Sequence, residues 1–142
     1  MIVTVRDNTP INIRDILQRS PVRDIPGAEA VMQECMFRSQ EIRYGFVDGT
    51  VACVWGLIPP TIMSDSAYLW LLTTDIVAEH KFLFIRHSQV QIEDALELYP
   101  TIIGDCEVGN AQAFRWLRWL GAEFAEPIGK RVPFVIRKKL NG

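Results

Sequence analysis

The spacing of apolar residues divides the first part of the chain into a strand and two helices. Residues 2–6 alternate between apolar and polar side chains and predict a first strand. The segment DNTP at residues 7–10 predicts the start of a helix that runs to about Ser20, because it offers capping side chains followed by a proline in the first turn. A second helix is predicted over residues 28–37, where apolar residues recur at helical spacing.

A hairpin follows these helices. From Glu41 the apolar period changes to two, as expected for a strand with one buried face. The dipeptide formed by Asp48 and Gly49 is a strong signal for a tight turn between antiparallel strands. Residues 50–57 therefore predict the returning strand, which two prolines at residues 59–60 would end.

The middle of the chain predicts a buried strand and one long helix. The continuous apolar run at residues 67–72 is typical of a central strand with both faces covered. Residues 77–99 predict a single helix, ended by Pro100. Its predicted buried stripe consists of Phe82, Ile85, Gln89, Ile92 and Leu96.

The last third predicts a strand, a helix and two further strands. The strand covers residues 101–108, and Asn110 is a suitable N-cap for a helix that ends at Leu120 and is terminated by Gly121. Two strands over residues 122–127 and 132–139 are predicted around an Ile-Gly turn at 128–129. The order β-α-α-β-β-β-α-β-α-β-β predicts an α/β fold with a mixed sheet, in a single domain over residues 1–142.

Composition and charge narrow the function classes. The 142 residues are 49% hydrophobic and 23% charged, which is typical of an ordinary folded domain. With 15 basic and 17 acidic residues there is no basic field, so nucleic acid is not an expected partner. The longest apolar stretch, residues 51–58, is short beside the ~20 residues of a membrane-spanning helix, so no membrane partner is expected.

The cysteines and histidines do not predict a metal site. Cys35, Cys53 and Cys106 lie far apart within apolar segments, which favours buried free thiols in a reducing compartment. His80 and His87 have no cysteine near them in sequence, so no bound metal is expected. The amino terminus has no basic region followed by an apolar run, which predicts a protein that stays in the cytoplasm where it is made.

Several segments together resemble a known superfamily. The run NAQAFRWLRWLGAEF at residues 110–124 resembles the asparagine, helix, Leu-Gly and strand pattern of the GNAT superfamily of acetyl-CoA-dependent N-acetyltransferases. The segment DGTVA at residues 48–52 is similar to the hairpin between that family's second and third strands. A closer similarity, to the small internal virion core proteins of short-tailed phages, rests on WLLTTD at 70–75, on VGN at 108–110, and on Arg115, Leu117 and Gly121-Ala122.

The resemblance implies a GNAT-like fold with splayed parallel strands four and five. It also directs attention to the loop that binds acetyl-CoA in that family. Members hold the acetyl-CoA pyrophosphate on backbone N–H groups in a glycine-rich loop at a helix start, where the donors are unpaired. The corresponding residues here are 79–84, EHKFLF, and there is no glycine between Gly56 and Gly104. The loop is therefore expected to be degenerate, with no cofactor bound.

The alternative is an active acetyl-CoA-dependent N-acetyltransferase acting on an amine. The resemblance then implies that the backbone of Leu72, Thr73 and Thr74 pairs with the pantetheine arm of the cofactor and that Asn110 contacts it.

The groups that acetyl transfer requires are weakly represented. The tyrosine with which many members protonate the leaving thiolate is replaced by Leu117, which holds no proton. Candidate general bases are Glu107, Asp105 and Asp75, at or just after the ends of the predicted parallel strands. Each also suits a solvated strand end, and Asp75 suits a helix N-cap.

Four consecutive apolar residues at 82–85 exceed what one sheet can bury, so Leu83 or Phe84 should be covered by something else. The candidates are another loop of this chain, a second copy in a homo-oligomer, or a phage virion protein, with Trp119 as an exposed anchor. The function expected is that of a structural or interaction component of a virion or of host takeover, located in the host cytoplasm and incorporated into a virion.

Overall fold

A computed structural model of the chain describes residues 3–7, 11–62 and 64–138. In chain order its elements are β1 Val3–Asp7, α1 Ile13–Gln18, α2 Ala28–Arg38, β2 Glu41–Val47, β3 Thr50–Ile58, β4 Ala67–Thr73, α3 Asp75–Glu79, α4 Lys81–Leu98, β5 Thr101–Glu107, α5 Ala111–Trp119, β6 Glu123–Phe124 and β7 Arg131–Arg137. This order confirms the predicted one except that the long helix is divided into α3 and α4.

The described strands form a mixed sheet in the order β1-β2-β3-β4-β5-β7-β6. Strands β1, β2 and β3 pair in antiparallel fashion, as do β5 with β7 and β7 with β6. The parallel ladder between β4 and β5 joins Ala67 to Ile102 and Tyr68 to Ile103, and among the described residues it stops there. The predicted α/β class, with a mixed sheet and a parallel fourth and fifth strand, is confirmed.

The chain divides into two compact units. The first comprises Met1–Pro59 and Leu69–Lys81, and the second comprises Pro60–Tyr68 and Phe82–Gly142. In the first unit Ile16, Val54 and Leu72 are almost fully buried. Strand β4 is buried on both faces, since Leu69, Trp70 and Leu72 are all inaccessible, as its continuous apolar run predicts.

The core of the second unit lies between the inner face of its strands and two helices. The strands contribute Ile102, Phe134 and Ile136, and the helices contribute Ile92 and Leu117. A series of rings continues this core from α5 to the sheet: Phe114 lies 4.9 Å from Phe124, and Phe124 lies 6.4 Å from Phe134, between ring centroids. Such tilted pairs contribute packing beyond the buried area alone.

The hairpin between β2 and β3 forms as its sequence predicts. Asp48 and Gly49 both have positive φ, at 50° and 82°, which is the backbone of a type I′ turn. Val47 pairs with Thr50 directly across this turn.

The first helix begins later than its sequence predicts. Helix α1 starts at Ile13, and the side chain of Asn12 accepts the Arg14 N–H at 2.9 Å as its N-cap. Residues 8–10, which were expected to begin this helix, lie outside the described residues. The strand predicted over residues 122–127 is reduced to the two residues of β6, and the end of the last predicted strand, residue 139, is also outside them.

The prediction of one helix over residues 77–99 is wrong at His80. This residue has φ −130° and ψ 49°, which ends α3 and lets α4 begin at Lys81. The predicted buried stripe is wrong at Phe82 and Gln89, which are exposed, Phe82 to 88%. The buried positions of α4 are Ser88 and Ile92, because the helix turns this side toward α5.

Candidate functional site

The carboxyl end of β4 supplies backbone groups on one edge of the first unit. Thr74 donates its N–H to the Ala52 carbonyl at 2.9 Å, and its hydroxyl donates to the same oxygen at 2.9 Å. Thr74 is therefore committed to strand β3. Because backbone groups of successive strand residues point to opposite edges, those of Thr73 point away from β3. The pairing of Leu72, Thr73 and Thr74 with a pantetheine arm stays a prediction.

Asp75 is part of a contact between α3 and the end of α1. Its backbone N–H donates to the Arg19 carbonyl at 3.1 Å, and its carboxylate lies 3.1 Å from Arg19 Nη2. The N-cap of α3 is Thr74, so the alternative role of Asp75 as an N-cap is wrong and it occupies the first helical position instead. An acidic side chain there also suits the positive end of the helix.

Helix α4 begins directly after the break at His80. At a helix start the first backbone N–H groups have no acceptor within the helix itself, which is the feature that lets helix starts bind phosphate. According to the sequence resemblance, the glycine positions of the GNAT loop correspond to Phe82 and Phe84. The Phe84 ring packs on Trp116 of α5 with 5.3 Å between centroids, and Phe82 stands exposed on the first turn. Glycine at such positions allows a phosphate a closer approach to the backbone than a residue with a side chain does.

Two carboxylates at the end of β5 join a polar network in the second unit. The Tyr68 hydroxyl donates to Asp105 Oδ2 at 3.0 Å, and Arg131 Nε donates to Asp105 Oδ1 at 2.6 Å, with a second short contact from its Nη2. Arg131 Nη1 also lies 3.6 Å from Glu107 Oε1. Both oxygens of Asp105 are therefore already engaged, whereas Glu107 has the looser contact.

Sequence reasoning missed this network of Tyr68, Asp105 and Arg131. The alternation of β5 places Asp105 and Glu107 on the same face, and that could be read from the sequence. The hydrogen-bond partners of Asp105 could not be predicted from the sequence, since Tyr68 lies 37 residues before Asp105 and Arg131 lies 26 residues after it.

The opposite face of β5 carries Cys106, which is buried. Burial raises the pKa of this thiol, and neighbouring Arg131 opposes the effect. In the first unit, burial raises the pKa of Cys53 to about 12. All three cysteines are free, and Cys35 is only half-buried. The thiols that the sequence predicts to be buried are so at Cys53 and Cys106.

Helix α5 holds the remaining residues singled out by the resemblance. The Asn110 side chain accepts the Ala113 N–H at 3.1 Å, which confirms its predicted role as N-cap. Leu117, at the place of the family's tyrosine, is 3% exposed and belongs to the core. No proton can be delivered from this position.

The three residues predicted to form an interface differ in exposure. Leu83 and Phe84 are half-buried, and the Phe84 ring packs on Trp116 of the same chain. Trp119 is 53% exposed. The interface at these residues stays a prediction. The aromatic ring that this turn leaves uncovered is that of Phe82.

The described residues, 3–7, 11–62 and 64–138, contain neither a metal-binding cluster nor a membrane-spanning helix. Within them, no group of three or more histidine, cysteine and acidic side chains is placed to hold a metal ion. None of the helices in this part of the chain combines the length and the apolar character needed to cross a membrane.

Comparison with known proteins identifies the fold. No family model and no curated protein matches the chain by sequence. Among solved structures, it resembles the ribosomal-protein-S18-alanine N-acetyltransferase of Escherichia coli, with a TM-score of 0.71 and 14% identity over 99% of this chain and 97% of that one.

Two further solved structures of acetyltransferases are similar to the chain. An acetyltransferase of Bacillus subtilis in complex with CoA has a TM-score of 0.73 and 14% identity over 97% of this chain and 100% of that one. A GNAT family acetyltransferase of Elizabethkingia anophelis with acetyl-CoA bound has a TM-score of 0.66 and 10% identity over 96% and 98%. At such low identity the likeness establishes the shared fold.

Proposed function

The chain has the GNAT acetyltransferase fold, and we propose that it acts as a binding component. In this proposal it does not bind the pyrophosphate of acetyl-CoA at the usual loop of that fold and does not transfer an acetyl group. The observation that carries the proposal is the pair of phenylalanines at the start of α4, where a pyrophosphate would need open backbone. On the sequence resemblance to internal virion core proteins, the partner we propose is another protein of a phage particle.

The packing of Phe84 supports this proposal. Its ring lies against Trp116, and the indole of Trp116 donates its Nε1–H to Ser88 Oγ at 2.8 Å. Ser88 donates in turn to the Ile85 carbonyl at 2.8 Å. Phe84 is thus part of the contact between α4 and α5, and moving it aside for a ligand would disturb that contact.

The candidate catalytic groups also support a binding role. Asp75 is paired with Arg19, and both oxygens of Asp105 accept hydrogen bonds from Tyr68 and Arg131. The remaining candidate base, Glu107, has no proton donor at Leu117 to act with. A general acid or base must reach its proton in a productive position, and these side chains are held by the fold instead.

Calorimetric titration with acetyl-CoA tests the proposal. The wild type should give no binding heat at high micromolar cofactor. The variant Phe82→Gly should gain measurable binding if the side chain at this position excludes the diphosphate, and Trp119→Ala, on another helix, serves as the control that should gain none. A one-to-one isotherm with the wild type would overturn the proposal.

The alternative is an active N-acetyltransferase, and one observation favours it. The break at His80 creates a helix start directly after β4 and α3, and Lys81 adds a positive charge there. Release of free coenzyme A thiol in the presence of an amine, abolished by Glu107→Gln, would support this alternative. Detection of the chain in purified phage particles by mass spectrometry would support the binding role instead.

A further inference from the structure

The outward side of α4 has a regular pattern that its own fold does not use. Residues spaced by four form a row, which we call the outer stripe: Phe82, Arg86, Val90, Asp94 and Leu98. All five are exposed, including Phe82 at 88%, Val90 at 50% and Leu98 at 70%. Over this length the stripe extends about 24 Å along the helix. Large apolar side chains left in a row on a helix favour a contact with another surface.

The charges of α4 are separated along its length. Lys81, Arg86 and His87 lie in its first half, and Glu93, Asp94 and Glu97 lie in its second half. This arrangement opposes the helix dipole, which favours acidic residues at the amino end and basic residues at the carboxyl end. The pattern therefore lowers the stability of the isolated helix, and a partner with the reverse order of charges would compensate for it.

We propose that α4 binds the α4 helix of a second copy of this chain in antiparallel orientation, about a two-fold axis at Val90. In this arrangement Val90 meets Val90 of the partner, while Phe82 and Leu98, each turned by about 80° from Val90 around the helix, flank the contact on opposite sides. Arg86 then faces the partner's Asp94, and the same contact occurs twice because a two-fold interface repeats every pair. The partner is a second copy of the chain because the charges along α4 are complementary to the same charges in reverse order.

The charged pair of the stripe is available for this contact. Neither Arg86 nor Asp94 has an ion pair or side-chain hydrogen bond to another described residue, whereas Glu97 is already bound by Lys138 Nζ at 3.2 Å. The opposite side of α4 is occupied by the contact of Ser88 and Phe84 with Trp116. The outer stripe is thus free to associate without any rearrangement of the second unit. This inference holds whether or not acetyl-CoA binds.

Analytical ultracentrifugation of charge-reversal variants tests the proposal. The wild type should sediment as a dimer. Either Arg86→Glu or Asp94→Arg places like charges opposite each other twice, and each should weaken self-association by about ten-fold or more. Arg115→Glu, an equal charge change on the exposed side of α5, is the control that should leave the dimer unchanged. Circular dichroism checks that the variants remain folded.

The decisive step is to mix the two variants. A mixture of Arg86→Glu with Asp94→Arg should form a heterodimer, because both two-fold contacts then join opposite charges, and the double variant should recover self-association by itself. A wild type that remains monomeric at high concentration, or a mixture that remains monomeric when the wild type dimerises, would overturn the proposal.

Discussion

The indole of Trp70 is 4% exposed and donates its Nε1–H to Ser39 Oγ at 2.6 Å. Ser39 ends α2, and its hydroxyl donates to the Cys35 carbonyl at 2.6 Å. Gly56 lies directly against the same indole, where an added Cβ would fall 2.7 Å from Trp70 Nε1. One buried side chain therefore joins β4 to the end of α2 and requires glycine at its neighbour in β3.

Substituting Gly56→Ala should lower the free energy of unfolding by about 1–3 kcal/mol, because the new methyl group overpacks the indole. Denaturant unfolding followed by tryptophan fluorescence measures the loss. The double variant Gly56→Ala with Trp70→Phe should be less destabilised than the two single losses together, since the smaller ring makes room. Strict additivity of the two losses would contradict the close contact.

The buried thiol of Cys53 should resist alkylation in the folded chain. Burial raises its pKa from 9.0 to about 12, so little thiolate forms at mildly alkaline pH. Iodoacetamide followed by peptide mass spectrometry should show modification of half-buried Cys35 first, and of Cys53 only after unfolding. Equal labelling rates of the two in the native chain would contradict this.

The same raised pKa has a consequence for stability. Because burial disfavours the Cys53 thiolate, the neutral thiol contributes to the free energy of unfolding. That contribution is fully present below pH 9.0 and is lost as the pH rises toward about 12.

At the level of elements, α5 has both ends defined by local chemistry. The Asn110 side chain caps its first turn, and Gly121 follows its last turn with φ 93°. The Ala122 N–H donates back to the Leu117 carbonyl at 3.0 Å, which is the bond of a Schellman motif. Both ends could be predicted from sequence because each depends on residues only a few positions apart.

Replacing Asn110 with alanine should cost about 1 kcal/mol of stability, because the Ala113 N–H loses its acceptor. Thermal or urea unfolding measures this loss. The matched variant Asn110→Asp keeps the acceptor and should remain close to the wild type. If both variants lose the same stability, the cap does not contribute in the way the geometry indicates.

The start of helix α4 and its buried side could not be predicted from the sequence. The apolar pattern continues across His80, which is neither glycine nor proline, so nothing local indicates a break. The buried face of α4 is the one that packs on α5, where Trp116 contacts Phe84 and Ser88. The number of apolar residues on each face of the helix does not predict this. Periodicity alone therefore places Phe82 in the buried stripe, although it is exposed.

For the whole molecule, the strand order and the solved structures agree on the fold at 10–14% identity. A fold is shared at such low identity because it depends on the apolar pattern and the order of elements, which many sequences satisfy. Function depends on particular groups at one site. The proposal of a binding role depends on the two phenylalanines at the start of α4 and on the buried Leu117.

The sequence by itself determined the order of elements apart from the division at His80, the hairpin turn, the cap at Asn110 and the absence of glycine over residues 79–84. Each of these depends on residues within a few positions of one another, where backbone preference and periodicity decide the outcome. Only the tertiary structure decided that Arg19 holds Asp75 and that Tyr68 and Arg131 hold Asp105. The partners are 56 residues apart for Arg19 and Asp75, 37 for Tyr68 and Asp105, and 26 for Asp105 and Arg131. Contacts between residues so far apart form only when the whole chain packs, so local sequence does not predict them.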